Sequence, residues 1–160
     1  MGIKKSNIEH VQLNGISLDR VAFTKFLGVI IDYQLNWNKH IQTVRGKIAK
    51  TIGIMYKIRN KVDNNMLLMV YNSLILPHLM YCTEIWGNTY EHRIRDLVLL
   101  QKRAVRIIDN VGYRDHTSII FKKYKLFKLV DIVYYQTYVL MYKANQGNLP
   151  VKIQLKFKKK

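Results

Sequence analysis

Cysteine occurs once, at Cys82, which excludes an intrachain disulfide and fits a reducing compartment. Acidic residues are almost as scarce relative to bases: 10 Asp and Glu stand against 27 Lys and Arg, and no two acids are adjacent. The paired carboxylates that hold two metal ions are therefore missing, and no catalytic residue is expected. One cysteine and five widely spread histidines cannot form a Cys/His zinc knuckle, so no metal site is expected either. There is no Gly-rich phosphate loop and no Gly-x-Ser-x-Gly elbow. Apolar runs are short. Val133 to Met141 is broken by Gln136 and falls well below the roughly 20 residues of a membrane span, so a soluble protein is expected. Met1 to Ser6 has no apolar segment of the kind a signal peptide needs, and the expected location is intracellular, nuclear or cytoplasmic. Gly2 with Ser6 matches a myristoylation pattern short enough to arise by chance. Internal repeats are absent.

What is abundant is positive charge. The formal net charge is +17 over 160 residues, and 49% of the chain is hydrophobic. The apolar content is enough for a buried core, in a single domain or in the tail of a larger protein. Such a cationic excess calls for a polyanionic partner, because neutralising phosphates releases counterions. Nucleic acid leads; an acidic membrane surface or plain solubility follows.

The pattern along the chain is α+β and mostly α: a small N-terminal antiparallel β-hairpin or sheet, then a helical bundle. Ile8 to Leu13, Asn14-Gly15 and Ile16 to Leu18 predict a hairpin, since Asn-Gly accepts the positive φ of a type I′ turn. Val21 to Phe23 extends the second strand, and Phe26 to Ile31 predicts a third, buried on both faces, with Gly28 marking a bulge or a close approach. Asn36 stands where a helix N-cap belongs. From Trp37 the apolar residues Ile41, Val44, Ile48, Ile52, Met55, Ile58 and Val62 recur at steps of three and four, a stripe of about 25 residues. Lys39, Lys50, Lys57 and Lys61 fall together on the opposite side, near Gly46 and Gly53. That face is either solvated or follows a phosphate backbone, with the glycines allowing close approach.

Asp63-Asn64-Asn65 interrupts, Met66 to Leu76 is a second helix, and Pro77 ends it or opens the next. Trp86 before Gly87 reads as a core plug, and Cys82 as a buried small hydrophobe on an apolar helix. In the helix Arg93 to Asp109, Ile94, Leu97, Val98, Ala104, Val105 and Ile108 make the buried stripe. Arg95, Lys102, Arg103 and Arg106 collect opposite. They are candidate phosphate contacts, since a guanidinium fork can bind phosphate at two points. Thr117 or Ser118 is expected to cap a short helix. Lys122, Lys123, Lys125 and Lys128 alternate with Tyr124, Leu126, Phe127 and Leu129, which suits either a single strand or a helix and turn packed on the bundle. Asp131 is expected to cap a last helix through Asn145, ended by Gly147 and Pro150, and a basic tail follows from 151 to 160.

Several strings resemble one family. Lys25-Phe26-Leu27-Gly28-Val29, Asp32, Leu35, Trp37 and His40-Ile41 are similar to the end of the palm and the start of the thumb in reverse transcriptases of non-LTR (LINE-type, jockey-like) retrotransposons. So are Tyr71, Ser73-Leu74-Ile75, Pro77, Leu79, Tyr81-Cys82 and Trp86-Gly87, then the string 99 to 108, His116-Thr117-Ser118 and Gly147-Asn148-Leu149-Pro150. The resemblance covers roughly Asn14 to Pro150. It implies an end-of-palm β segment over 1–35, in which Phe26, Leu27 and Gly28 belong to the primer grip, and a helical thumb with a C-terminal extension over 36–150. It further implies a sequence-independent clamp on an RNA–DNA hybrid, RNA or DNA, with the rest of the reverse transcriptase as a possible partner. The full enzyme of the family uses Mg2+; the aromatic-x-Asp-Asp signature that would hold it does not occur here. Other readings are a stand-alone basic helical nucleic-acid-binding module, a decayed retroelement remnant, or a scaffold whose charge only keeps it in solution.

Overall fold

Asn14 and Gly15 sit at φ 51° and 79°, the left-handed pair a type I′ turn needs, between β1 (Val11–Leu13) and β2 (Ile16–Leu18). These are details of a computed structural model that describes residues 11 to 150. The expected strand start at Ile8, the Gly2/Ser6 pattern and the tail with Lys152, Lys156 and Lys158 to Lys160 lie outside the described residues. Leu13 pairs with Ile16 and Val11 with Leu18, and every residue of β2 is exposed.

The expected third strand is a second hairpin. β3 (Phe23–Phe26) and β4 (Val29–Asp32) are antiparallel, with Phe26 opposite Val29. Leu27 at φ 46° and Gly28 at φ 86° form the two-residue turn between them. Gly28 thus makes a turn and not a strand bulge: its positive φ costs a glycine little. The run is not covered on both faces. Val29 is buried, but Phe26 is 63% and Leu27 75% exposed. Val21 does not extend β2, and the two hairpins are separate sheets.

Asp32 turns the chain into the bundle. Its carboxylate accepts from the backbone N–H groups of Gln34 at 3.1 Å, Asn36 at 3.0 Å and Trp37 at 2.9 Å. Partial burial pushes its pKa up, yet the three donors outweigh it and hold the group below the ordinary carboxylate value. The cap position of α1 (Asn38–Ile58) is Trp37, left-handed at φ 62°, and not Asn36. Asn36 is used otherwise: its backbone and side-chain oxygens both accept from Arg93 Nη1, at 2.7 and 2.8 Å.

The stripe of α1 is buried as its spacing requires, with Ile48 and Met55 fully enclosed and His40 and Thr51 included. The helix stops at Ile58, so Lys61 and Val62 lie in the turn that follows. Asp63 caps α2 (Asn64–Leu74) by accepting from Met66 N at 2.9 Å. After Ile75 comes α3 (Leu76–Met80), with Pro77 in its first turn, where its missing N–H is harmless. Cys82 stands in the break before α4 (Thr83–Trp86), left-handed at φ 51° and half-buried, not on an apolar helix. Burial, then nearby Glu84, pushes its thiol pKa up.

α5 (Glu91–Ile108) lies along α1: Arg93 in its first turn bonds Asn36 just ahead of α1, and Asp96 pairs with Arg45 at 3.1 Å. α6 (Ser118–Lys123) follows, with Thr117 at its cap position but no side-chain cap bond. α7 (Leu129–Asn145) starts after Lys128, whose N–H donates to Asp131 at 3.2 Å, and ends before Gly147 at φ 72°. Asp131 therefore caps from the third helical position. Trp86 is fully buried, and Gly87 behind it brings α4 against α7: a Cβ there would meet Thr83 O and Val133 Cγ2 at 2.6 Å. Among the described residues, no helix is long and apolar enough to cross a membrane. The architecture is α+β, mostly α, as its sequence pattern implies.

Candidate nucleic-acid interface

α1 contributes five cations and no carboxylate in 21 residues. Its buried stripe turns Lys39, Lys50 and Lys57 outward, all exposed, on the side away from the core. Lys39 Nζ lies 5.5 Å above the Phe23 ring, where the ring's negative face attracts it. Lys57 is in the last turn, where it also complements the helix dipole. Gly46 and Gly53 share this face, and a Cβ built on either meets nothing within 4 Å. Packing does not demand them, though each weakens an exposed helix by about 1 kcal/mol relative to alanine.

The α5 row divides in two. Arg95 and Arg103 are exposed, whereas Lys102 and Arg106 are half-buried and line a cleft against the loop 110–117 and the start of α7. Arg106 is held in place: its Nε donates to Asp115 O at 3.0 Å and its guanidinium lies 5.8 Å from the Tyr113 ring centre. The structure thus gives Arg106 a loop-anchoring contact as well as a place in the cationic row.

Phe26, Leu27 and Gly28 stand together at the tip of the β3–β4 hairpin. The tip is tied to the bundle, because Tyr81 Oη donates to Leu27 O at 2.5 Å and its ring passes beneath Gly28. Ile30 N donates to His40 Nδ1 at 3.3 Å, fastening β4 to α1. The other nitrogen, Nε2, is buried with no hydrogen-bond partner, in a ring set edge-on to Trp86 at 5.5 Å. Burial, then the Lys47 charge, lowers the His40 pKa from its ordinary value, so this imidazole is neutral.

Sequence reasoning missed four anchoring residues: His40, Tyr81, Arg93 and Gln101. Gln101 is buried on α5 and makes three bonds. Its Nε2 donates to Tyr71 Oη at 2.8 Å and to Phe127 O at 3.0 Å, and its Oε1 accepts from Leu129 N at 2.8 Å. A polar residue at a position on a buried helical stripe was the available signal. Among the described residues no three of His, Cys, Asp and Glu gather. Asp32 is taken up by its turn, so the described residues do not fit a Mg2+ site.

What the fold and these faces define is a strongly basic, mostly helical segment whose hairpin is fixed to the bundle by side-chain bonds. Its relatives are RNA-directed DNA polymerases of mobile elements. The chain is 21% identical over 132 residues to a probable RNA-directed DNA polymerase from transposon X-element of Drosophila melanogaster, covering 81% of this chain and 14% of the relative. It is 27% identical over 125 residues to the RNA-directed DNA polymerase from mobile element jockey of the same species, covering 76% and 14%. A retrovirus-related Pol polyprotein from type-1 retrotransposable element R1 of Bradysia coprophila is 23% identical over 101 residues, covering 61% and 10%. The resemblance to non-LTR retrotransposon reverse transcriptases holds over most of the chain, which spans only 10–14% of the length of these relatives. No protein-family model and no solved structure matches.

Proposed function

We propose that this chain is the template–primer-gripping part of a reverse transcriptase, acting by position and charge and not by chemistry of its own. The observation that carries this reading is the acid-free helix α1, with its outward lysines and two glycines that packing does not require. Lys50 and Lys57, with Lys39 and Lys61 at the ends of the row, contact the phosphates of an RNA–DNA hybrid, and Arg95 and Arg103 contact a backbone from α5. Phe26, Leu27 and Gly28 support the primer end from the hairpin tip, held there by Tyr81. Such contacts read no bases, so binding is independent of sequence and falls steeply with salt. The catalytic palm and its Mg2+ belong to the rest of such an enzyme, which is a partner of this segment. The place of action is wherever that nucleic acid is copied, in nucleus or cytoplasm.

The test is hybrid binding across a salt series with Lys50→Glu/Lys57→Glu beside the parent chain. Loss of at least ten-fold in affinity, with a shallower salt slope, is expected. A hybrid affinity indifferent to the reversal would reduce the lysine row to solvated surface.

A further inference from the structure

The cleft between α5, the loop 110–117 and the first turn of α7 holds about 490 Å³, the scale of a small-ligand site. Its rim carries Lys102, Arg106, Arg114 and Lys128, with His116 beside them. One carboxylate lines the cleft with these four cations: Asp115, whose Oδ2 accepts from Gly112 N at 2.6 Å; Asp131 stands behind Lys128 and accepts from its N–H at 3.2 Å. The ion pairs among the described residues are Arg45–Asp96 and Lys123–Asp109, so none of the four stands in a direct ion pair. The floor is apolar, with Phe121 and Leu129 buried and Val98 half-buried, and Thr117 and Ser118 stand at its edge.

Four like charges gathered around one carboxylate leave an excess of positive charge, which disfavours the fold unless an anion joins them. Arg106 is fixed by Asp115 O, and the floor by the Gln101 bond to Leu129 N. A cationic rim in excess of its one carboxylate, over a largely apolar floor, matches a group with charge at one end and an apolar face at the other. We propose that this cleft is a second phosphate site, separate from the α1 face, that takes one nucleotide unit of a single strand: phosphate on the rim, base or sugar on the floor. The inference rests on nucleic acid being the partner, but on none of the α1 lysines.

The phosphate has two possible sources, a strand or a free nucleotide, and one experiment separates them. The full chain is titrated into end-labelled single-stranded RNA and into an RNA–DNA hybrid, followed by fluorescence anisotropy across a salt series. Arg114→Glu/Lys128→Glu is compared with Lys50→Glu/Lys57→Glu, and AMP at millimolar concentration is the competitor. Both cleft positions are exposed, so folding should persist; circular dichroism checks this, and Arg114→Ala/Lys128→Ala serves if the reversal unfolds the chain. The cleft reversal should weaken single-strand binding at least ten-fold and flatten the logarithmic salt slope by about 0.7, the equivalent of one phosphate contact. Hybrid binding should change less. Competition by AMP would identify a free nucleotide as a sufficient ligand, and no competition a phosphodiester within a strand; either supports the site. Single-strand affinity and slope unchanged by the cleft variant would overturn it. If the α1 reversal then still weakens the hybrid, the gripping function survives the loss of the cleft. A cleft effect without an α1 effect would keep the cleft as a phosphate site and remove the α1 grip instead.

Discussion

Replacing Gln101 by leucine removes the junction of three helices without leaving a void. The shapes are close, so the loss is polar. Gln101→Leu orphans the Leu129 N–H, the Phe127 carbonyl and the Tyr71 hydroxyl, which now meet the amide at 2.8 to 3.0 Å. Each buried group left without a partner costs about 1–3 kcal/mol. Added apolar burial returns on the order of 1 kcal/mol, and Phe127 is exposed enough for water to reach its carbonyl in part. The net loss is then about 2–5 kcal/mol. At about 2–4 °C per kcal/mol for a chain of this size, the melting temperature should fall by roughly 5–15 °C. Thermal unfolding followed by circular dichroism measures it. A second substitution tests the cause. Tyr71→Phe alone leaves one Gln101 N–H unpaired and should cost about 1–2 kcal/mol. In the Gln101→Leu background its hydroxyl is already stranded, so the same change should be neutral or stabilising. A Gln101→Leu variant melting within about 2 °C of the parent, or strictly additive effects of the two changes, would refute the account.

Three further outcomes follow from the same contacts. The His40 pKa lies below its ordinary value of 6.5, so the unfolded chain binds the proton more readily; stability should be complete above about pH 6.5 and be lost as pH falls through the lower, folded-state value. Melts between about pH 7.5 and 5 should show that fall, and a His40→Gln variant should show a flatter one. Tyr81→Phe should release the β3–β4 tip with little effect on global melting, visible as faster hydrogen exchange at Phe26 and Val29 beside it; unchanged exchange would mean the tip is held by other contacts. Gly46→Ala/Gly53→Ala should raise helix stability by about 0.5–1 kcal/mol per site and yet weaken hybrid binding, and a gain in both would show that no backbone approaches there.

Periodicity carried the helices well. The α1 stripe from Ile41 to Met55 and the α5 stripe from Ile94 to Ile108 are buried where steps of three and four put them, with Val98 only half-buried. The Asn14-Gly15 turn was legible because few other residues accept that backbone. The Leu27-Gly28 turn was not: leucine at positive φ is a strained choice, and an unbroken apolar run looks like a strand whether or not it folds back at its middle. Asn36 has the chemistry of a cap, but the helix starts one residue later, after a left-handed Trp37, and the oxygens of Asn36 accept from Arg93 instead. The lysine row needed only helical geometry. The cleft needed tertiary structure, since Lys102 and Lys128 are brought together by the return of the chain through α6, and no spacing along the sequence encodes that.

In the β1–β2 hairpin, Leu13, Ile16 and Leu18 all face solvent, and a two-stranded ribbon without a layer beneath it is only marginally stable in water. Its order is therefore on loan. An adjoining surface that covers these three side chains would turn a flickering hairpin into a fixed one, and the ribbon's exchange rate would then report, at a distance from any bound nucleic acid, whether that surface is present.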